Sequence, residues 1–124
     1  MVVAVSADEA LFMSLSNAIP GQLPVMQCQH AGVAFEALAT GTARLVVIDD
    51  DILATGFCHA LIGGARQFAP DAKIIYVTSH HTKWREAEAR NAGVHFYAVK
   101  PVDGELLSRV ARALMETTPH RAAA

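Results

Sequence analysis

The chain has 124 residues, 52% of them apolar and 18% charged, with a net charge of −2 at neutral pH. That suits one compact domain that buries well over half of the surface its unfolded form exposes, and it excludes a disordered chain. Ten Lys and Arg are outnumbered by twelve Asp and Glu, and the basic residues are scattered along helices, which excludes the electrostatic footprint of a nucleic-acid binder.

The start, Met1-Val2-Val3-Ala4-Val5, is too short for a secretory signal and lacks its basic leader. No apolar stretch approaches membrane-spanning length, so the cytoplasm is the expected compartment and no membrane partner is expected.

In chain order, short β-branched runs alternate with helical stretches, a pattern that predicts parallel strands joined by crossover helices in an α/β fold. Val2 to Val5 is the first strand. Asp8 to Ile19 is the first helix, with Leu11, Leu15 and Ile19 at i, i+4 and i+8, ended by Pro20-Gly21. Leu23 to Gln29 reads as a weaker strand, and residues from about Gly32 to Thr40, with Val33, Phe35, Ala37 and Leu38, as the second helix.

Leu45 to Ile48 is the most apolar run, as a strand covered on both faces must be, so it is expected at the centre of the sheet. The helix predicted over Thr55 to Phe68 contains Gly63-Gly64. At a cost of about 1 kcal/mol per interior glycine, this helix is expected to bend or end early.

Pro70-Asp71 turns the chain into the strand Lys73 to Thr78. Thr82 to Ala92 follows as the fourth helix, closed by Gly93. Val94 to Val99 is the last strand, and Asp103 to Met115 the last helix, with Asp103 as N-cap and Leu106, Val110 and Leu114 on one face. The expected domain is 1–118, with 119–124 as a tail or the start of a linker.

Cys28 and Cys58 fall on a strand and a helix with no ligand spacing around them, and read as buried free thiols. His80-His81 are adjacent and do not share a helix face; they read as exposed loop residues rather than metal ligands. His30, His59, His95 and His120 read as surface or packing residues. Trp84 reads as a partly buried packing residue, with a partner-surface anchor as the functional alternative. Glu86, Glu88 and Arg90 read as a solvated helix face.

Three strand ends carry chemistry. Asp49 closes the third strand, Thr78 the fourth and Lys100-Pro101 the fifth. A carboxylate, a hydroxyl and an ammonium at the tips of a parallel sheet converge in the crevice where such sheets bind ligands.

Together with Thr78-Ser79, Ala92-Gly93, Phe96-Tyr97 and Lys100-Pro101, the five βα units resemble the receiver domain of bacterial two-component response regulators over nearly the whole chain. The resemblance implies a doubly wound, flavodoxin-like parallel sheet of five strands in order 2-1-3-4-5 with five helices. It implies Asp49 as phosphoacceptor, Lys100 as its cationic partner, Thr78 as the switch hydroxyl and Tyr97 as the switch aromatic. It also implies a small Ser79 leaving room for the incoming group, and a cis peptide before Pro101.

Such a module takes its phosphoryl group from a histidine kinase or phosphotransfer protein, forming an acyl phosphate. It then alters binding to an output domain or partner, or to a second copy, through the face made by the fourth helix, fifth strand and fifth helix. At most it phosphorylates itself; no independent turnover is expected.

The chain departs from that pattern where the family has an acidic pair after the first strand that helps hold Mg²⁺. Here those positions read Ser6-Ala7, so no metal ligand is assigned, and Asp49 with a backbone carbonyl is a poor Mg²⁺ site unaided. Asp8 and Asp51 are the candidates to substitute, although Asp50 and Asp51 read first as a solvated loop, with Asp50 pointing to the other side of the strand end.

The family's usual Met-Pro and Asp-Gly after the phosphoacceptor are replaced by Ile52-Leu53-Ala54-Thr55-Gly56. Two functions follow: a phosphorylatable receiver, or a pseudo-receiver that binds partners or dimerises without phosphorylation. A flavodoxin-like cofactor binder is disfavoured, since no Gly-rich loop follows Val5.

Overall fold

A computed structural model describes residues 1–19, 21, 23–53 and 55–116. Pro20, and the end of the chain where the tail was expected, lie outside the described residues. Five parallel strands form one sheet: β1 (Val2–Val5), β2 (Val25–Cys28), β3 (Leu45–Asp49), β4 (Lys73–Thr78) and β5 (Phe96–Val99). Their order is β2-β1-β3-β4-β5, which puts the most apolar strand at the centre as its unbroken hydrophobic run requires. The helices are α1 (Glu9–Ala18), α2 (Ala31–Ala39), α3 (Thr55–Phe68), α4 (Lys83–Ala92) and α5 (Gly104–Glu116).

Alternation along the strands divides the interior into two cores. Val2, Ala4, Leu45, Val47, Ile75 and Val77 face Leu11 and Leu15 of α1 and Leu107 and Ala111 of α5. Val3, Val5, Val46, Ile48, Ile74 and Tyr76 face α2, α3 and Ala89 of α4. This alternation, carried one step past Ile48, sends Asp49 toward the α1/α5 side and Asp50 toward the α3/α4 side.

Two helices differ from expectation. α3 runs unbroken through Gly63-Gly64; a Cβ at Gly64 would lie 3.3 Å from the Phe35 ring, so the glycine admits the Phe35 ring of α2. α5 buries Leu107 and Ala111, while Leu106 is 40% exposed. The buried stripe is set by contact with α1: a Cβ on Gly104 would meet Ser14 Oγ, and Ser108 Oγ donates to the Ser14 carbonyl. Small residues at 104, 108 and 111 share one helix face with Leu107, whereas the sequence pattern had favoured the largest side chains.

Caps follow the sequence. Asp8 and Thr82 accept from backbone N–H groups of α1 and α4, Asp103 does so for α5, and Gly93 closes α4 at φ 109°. Cys28 and Cys58 are buried free thiols. Burial, with Asp50 nearby, pushes the Cys58 thiol up to about 11. No helix among the described residues is long and apolar enough to cross a membrane.

Candidate functional site

The carboxyl ends of β1, β3, β4 and β5 place Ser6, Asp49, Thr78 and Lys100 at one edge of the sheet. Asp49 is 1% exposed, and its carboxylate is surrounded by donors. Oδ2 accepts from Lys100 Nζ at 2.8 Å and from Ser6 Oγ at 2.7 Å; Oδ1 accepts from the Asp51 N–H at 3.1 Å.

Lys100 Nζ also donates to Asp51 Oδ2 at 2.9 Å and lies 3.6 Å from Asp8 Oδ2. One ammonium is thus held by three carboxylates. Burial pulls that ammonium down, but its bonds to Asp49 and Asp51 outweigh the effect and hold it above the usual lysine range. The Asp51 carboxyl is held below its ordinary value by the hydrogen bond from Ser79 Oγ (2.6 Å) and by Lys100. The Lys100–Pro101 peptide is cis.

Thr78 is fully buried and its Oγ1 accepts from the His80 N–H at 3.0 Å. It stands one strand from Asp49 without joining the Asp49–Lys100 cluster directly. Tyr97 is packed inward, its ring stacked on Tyr76 at 5.8 Å, with its hydroxyl 3.0 Å from His81 Nδ1. Ser79, expected only to be small, holds Asp51 in place.

Asp50 overturns the expectation of a solvated loop. Its side chain is 2% exposed, and its Oδ2 accepts from Arg85 Nη1 and the Tyr76 hydroxyl, each at 2.9 Å. Asp50 points to the other side of the strand end, as expected, but there it is enclosed in the α3/α4 layer, where a charge must be paired. Sequence reasoning missed Tyr76 and Arg85. The available signal was a lone phenol inside an apolar strand, which when buried needs a partner for its hydroxyl.

Trp84 is 73% exposed and not a packing residue, since its neighbour Arg85 takes the inward position. Glu86 pairs with Arg90 one turn on, and Glu88 with His59 of α3.

A cavity of about 680 Å³ between the ends of α1 and α5, lined by Ile19, Leu23, Arg44, Arg112 and Met115 among others, lies away from this cluster. No protein-family model and no curated protein matches the chain. Solved structures do. A response regulator from Thermotoga maritima is 21% identical, with a TM-score of 0.78 over 94% of this chain and 97% of that one.

The chain has the response-regulator receiver fold. A CheY-like receiver domain protein from Methanospirillum hungatei JF-1 is 23% identical, with a TM-score of 0.73 over 93% of each chain. A Burkholderia pseudomallei response regulator, holding a phosphorylated aspartic acid and a calcium ion, is 17% identical, with a TM-score of 0.72 over 98% of this chain and 68% of that one.

Within the receiver fold, Ser6 and Ala7 end β1 without a carboxylate, yet acidic groups are not missing from the site. Asp8 and Asp51 bring theirs to the ammonium from neighbouring loops. Asp50, Asp51 and His80 also offer ligand atoms within 4.8 Å of one another; both histidines are exposed loop residues as expected, His80 beside two carboxylates and His81 against Tyr97. Asp8, Asp49 and Asp51 each present a carboxylate oxygen to the Lys100 ammonium.

Proposed function

We propose that this chain is a receiver module of two-component signalling in which Asp49 accepts a phosphoryl group from a histidine kinase or phosphotransfer protein. The observation that carries the reading is the contact of Lys100 Nζ with Asp49 Oδ2 at the carboxyl edge of a parallel sheet. An Asp49 oxygen attacks phosphorus, the P–N bond of the phosphohistidine breaks, and the imidazole leaves with that electron pair.

Lys100 offsets the charge left on the acyl phosphate as a point cation. Mg²⁺, with Asp49 and Asp51 offering it carboxylate oxygens, would supply charge neutralisation to the transferring group. Thr78 donates its hydroxyl to a phosphoryl oxygen once its loop moves inward, and Tyr97 answers that motion. The α4-β5-α5 face then changes its preference for an output domain, a partner protein or a second copy.

A second reading, a pseudo-receiver that binds partners without phosphorylation, is favoured by one observation. Both Asp49 oxygens are already engaged by Ser6, Lys100 and the Asp51 N–H. A small phosphodonor with and without Mg²⁺, followed by intact mass on wild type and Asp49→Asn, separates the two. A Mg²⁺-dependent phosphate adduct lost in the variant is the expected result; no adduct on wild type under any metal condition favours the pseudo-receiver.

A further inference from the structure

Asp50 uses one of its two carboxylate oxygens. Oδ2 accepts from Arg85 Nη1 and from the Tyr76 hydroxyl, while Oδ1 is buried with no hydrogen-bond partner among the described residues. Arg85 Nε is buried and unpartnered as well, and does not serve it. The Asp50 side chain is 2% exposed, and a buried carboxylate oxygen left without a donor calls for an ion or an ordered water.

Two further ligating side chains stand beside it. Asp50, Asp51 and His80 present ligand atoms within 4.8 Å of one another, and His80 Nδ1 is 3.5 Å from Asp51 Oδ1. Ligands held about 2.0–2.1 Å from a tetrahedral zinc ion are about 3.3–3.4 Å apart, so this pair already spans close to one edge of such a site. The Ser79 hydroxyl bonds to both atoms. The His80 side chain is 73% exposed and that of Asp51 28%, which opens the outer side to an entering ion and to water as the fourth ligand.

Charge and donor type agree. Asp8, Asp49, Asp50 and Asp51 face two cations, Lys100 and Arg85, which leaves two negative charges for one divalent ion to match. An imidazole nitrogen beside two carboxylates favours Zn²⁺ over Mg²⁺, which takes oxygen ligands.

We propose that Asp50, Asp51 and His80 form a Zn²⁺ site that clips the loop after β3 to the loop after β4. It uses the Asp51 oxygen turned away from Lys100, since Lys100 holds Oδ2 and Ser79 holds Oδ1. It is separate from the Asp49–Lys100 contact and independent of any phosphoryl transfer there.

Calorimetric titration of the chain with Zn²⁺ decides it. Wild type is expected to bind one equivalent that millimolar Mg²⁺ does not displace. His80→Ala, at an exposed side chain that folding does not need, is expected to weaken binding by about 100-fold, the upper end of what loss of an outer partner costs a metal site. His81→Ala, which removes the adjacent imidazole, should leave binding unchanged, and Asp49→Asn should weaken it by no more than about fivefold, as for one screened charge. No Zn²⁺ binding by wild type, or binding that survives His80→Ala, overturns the proposal. So does a loss in Asp49→Asn equal to that in His80→Ala, which places the ion at Asp49 instead.

Discussion

Asp49 and Asp50 are consecutive, both buried, and face opposite sides of the same sheet. Asp49 meets an ammonium on a flexible stem, shared with Asp51 and within reach of Asp8. Asp50 meets a guanidinium and a phenol inside the α3/α4 layer. A buried charge is tolerated in both places because it is paired. At Asp49 the pairing is exchangeable; at Asp50 it is structural and ties one helix to the loop.

The largest effect that would break this comparison is expected from Arg85→Met. It leaves Asp50 charged and unpaired, at a cost of about 3 kcal/mol, measured by urea denaturation. Asp50→Leu/Arg85→Met should recover most of that loss, since an apolar pair in place of a buried ion pair is often neutral. Lys100→Met is expected to cost less, about 2 kcal/mol, because its three carboxylates lie nearer to water; Asp49→Asn in the same background should restore part of it.

Acid sharpens the contrast further. The folded-state value of Asp51 lies below its unfolded value, so its contribution is fully present above the unfolded value near 3.8 and is lost as pH falls through the depressed folded value. Denaturation midpoints should therefore drop below about pH 4 in wild type and less in Ser79→Ala, which removes the largest cause of the shift. The smallest effect belongs to Trp84→Ala. With its side chain in solvent, stability should change by no more than about 0.5 kcal/mol, although Arg85 one residue later is essential to the packing.

Much of this was legible in the sequence. The unbroken run Leu45–Ile48 marked the central strand because a strand covered on both faces has no polar side. Asp8, Thr82, Gly93 and Asp103 marked helix ends because capping needs those residue types locally. Asp49 and Lys100 announced their meeting by standing at strand ends.

The misses share a cause. Leu106 and Trp84 were each assigned a side from residue type, whereas their sides are set by which helix approaches: Gly104 and Ser108 turn α5, and Arg85 turns α4.

The sequence by itself determined the five βα units and the sheet edge at which Asp49 and Lys100 stand, because strand periodicity and local capping are short-range. Only the tertiary structure decided that Asp8 and Asp51 join Asp49 around Lys100, that Asp50 is buried against Arg85 and Tyr76, and that Trp84 faces water. Each of those depends on contacts between segments far apart in the chain, whose geometry is fixed by how the helices pack on the sheet.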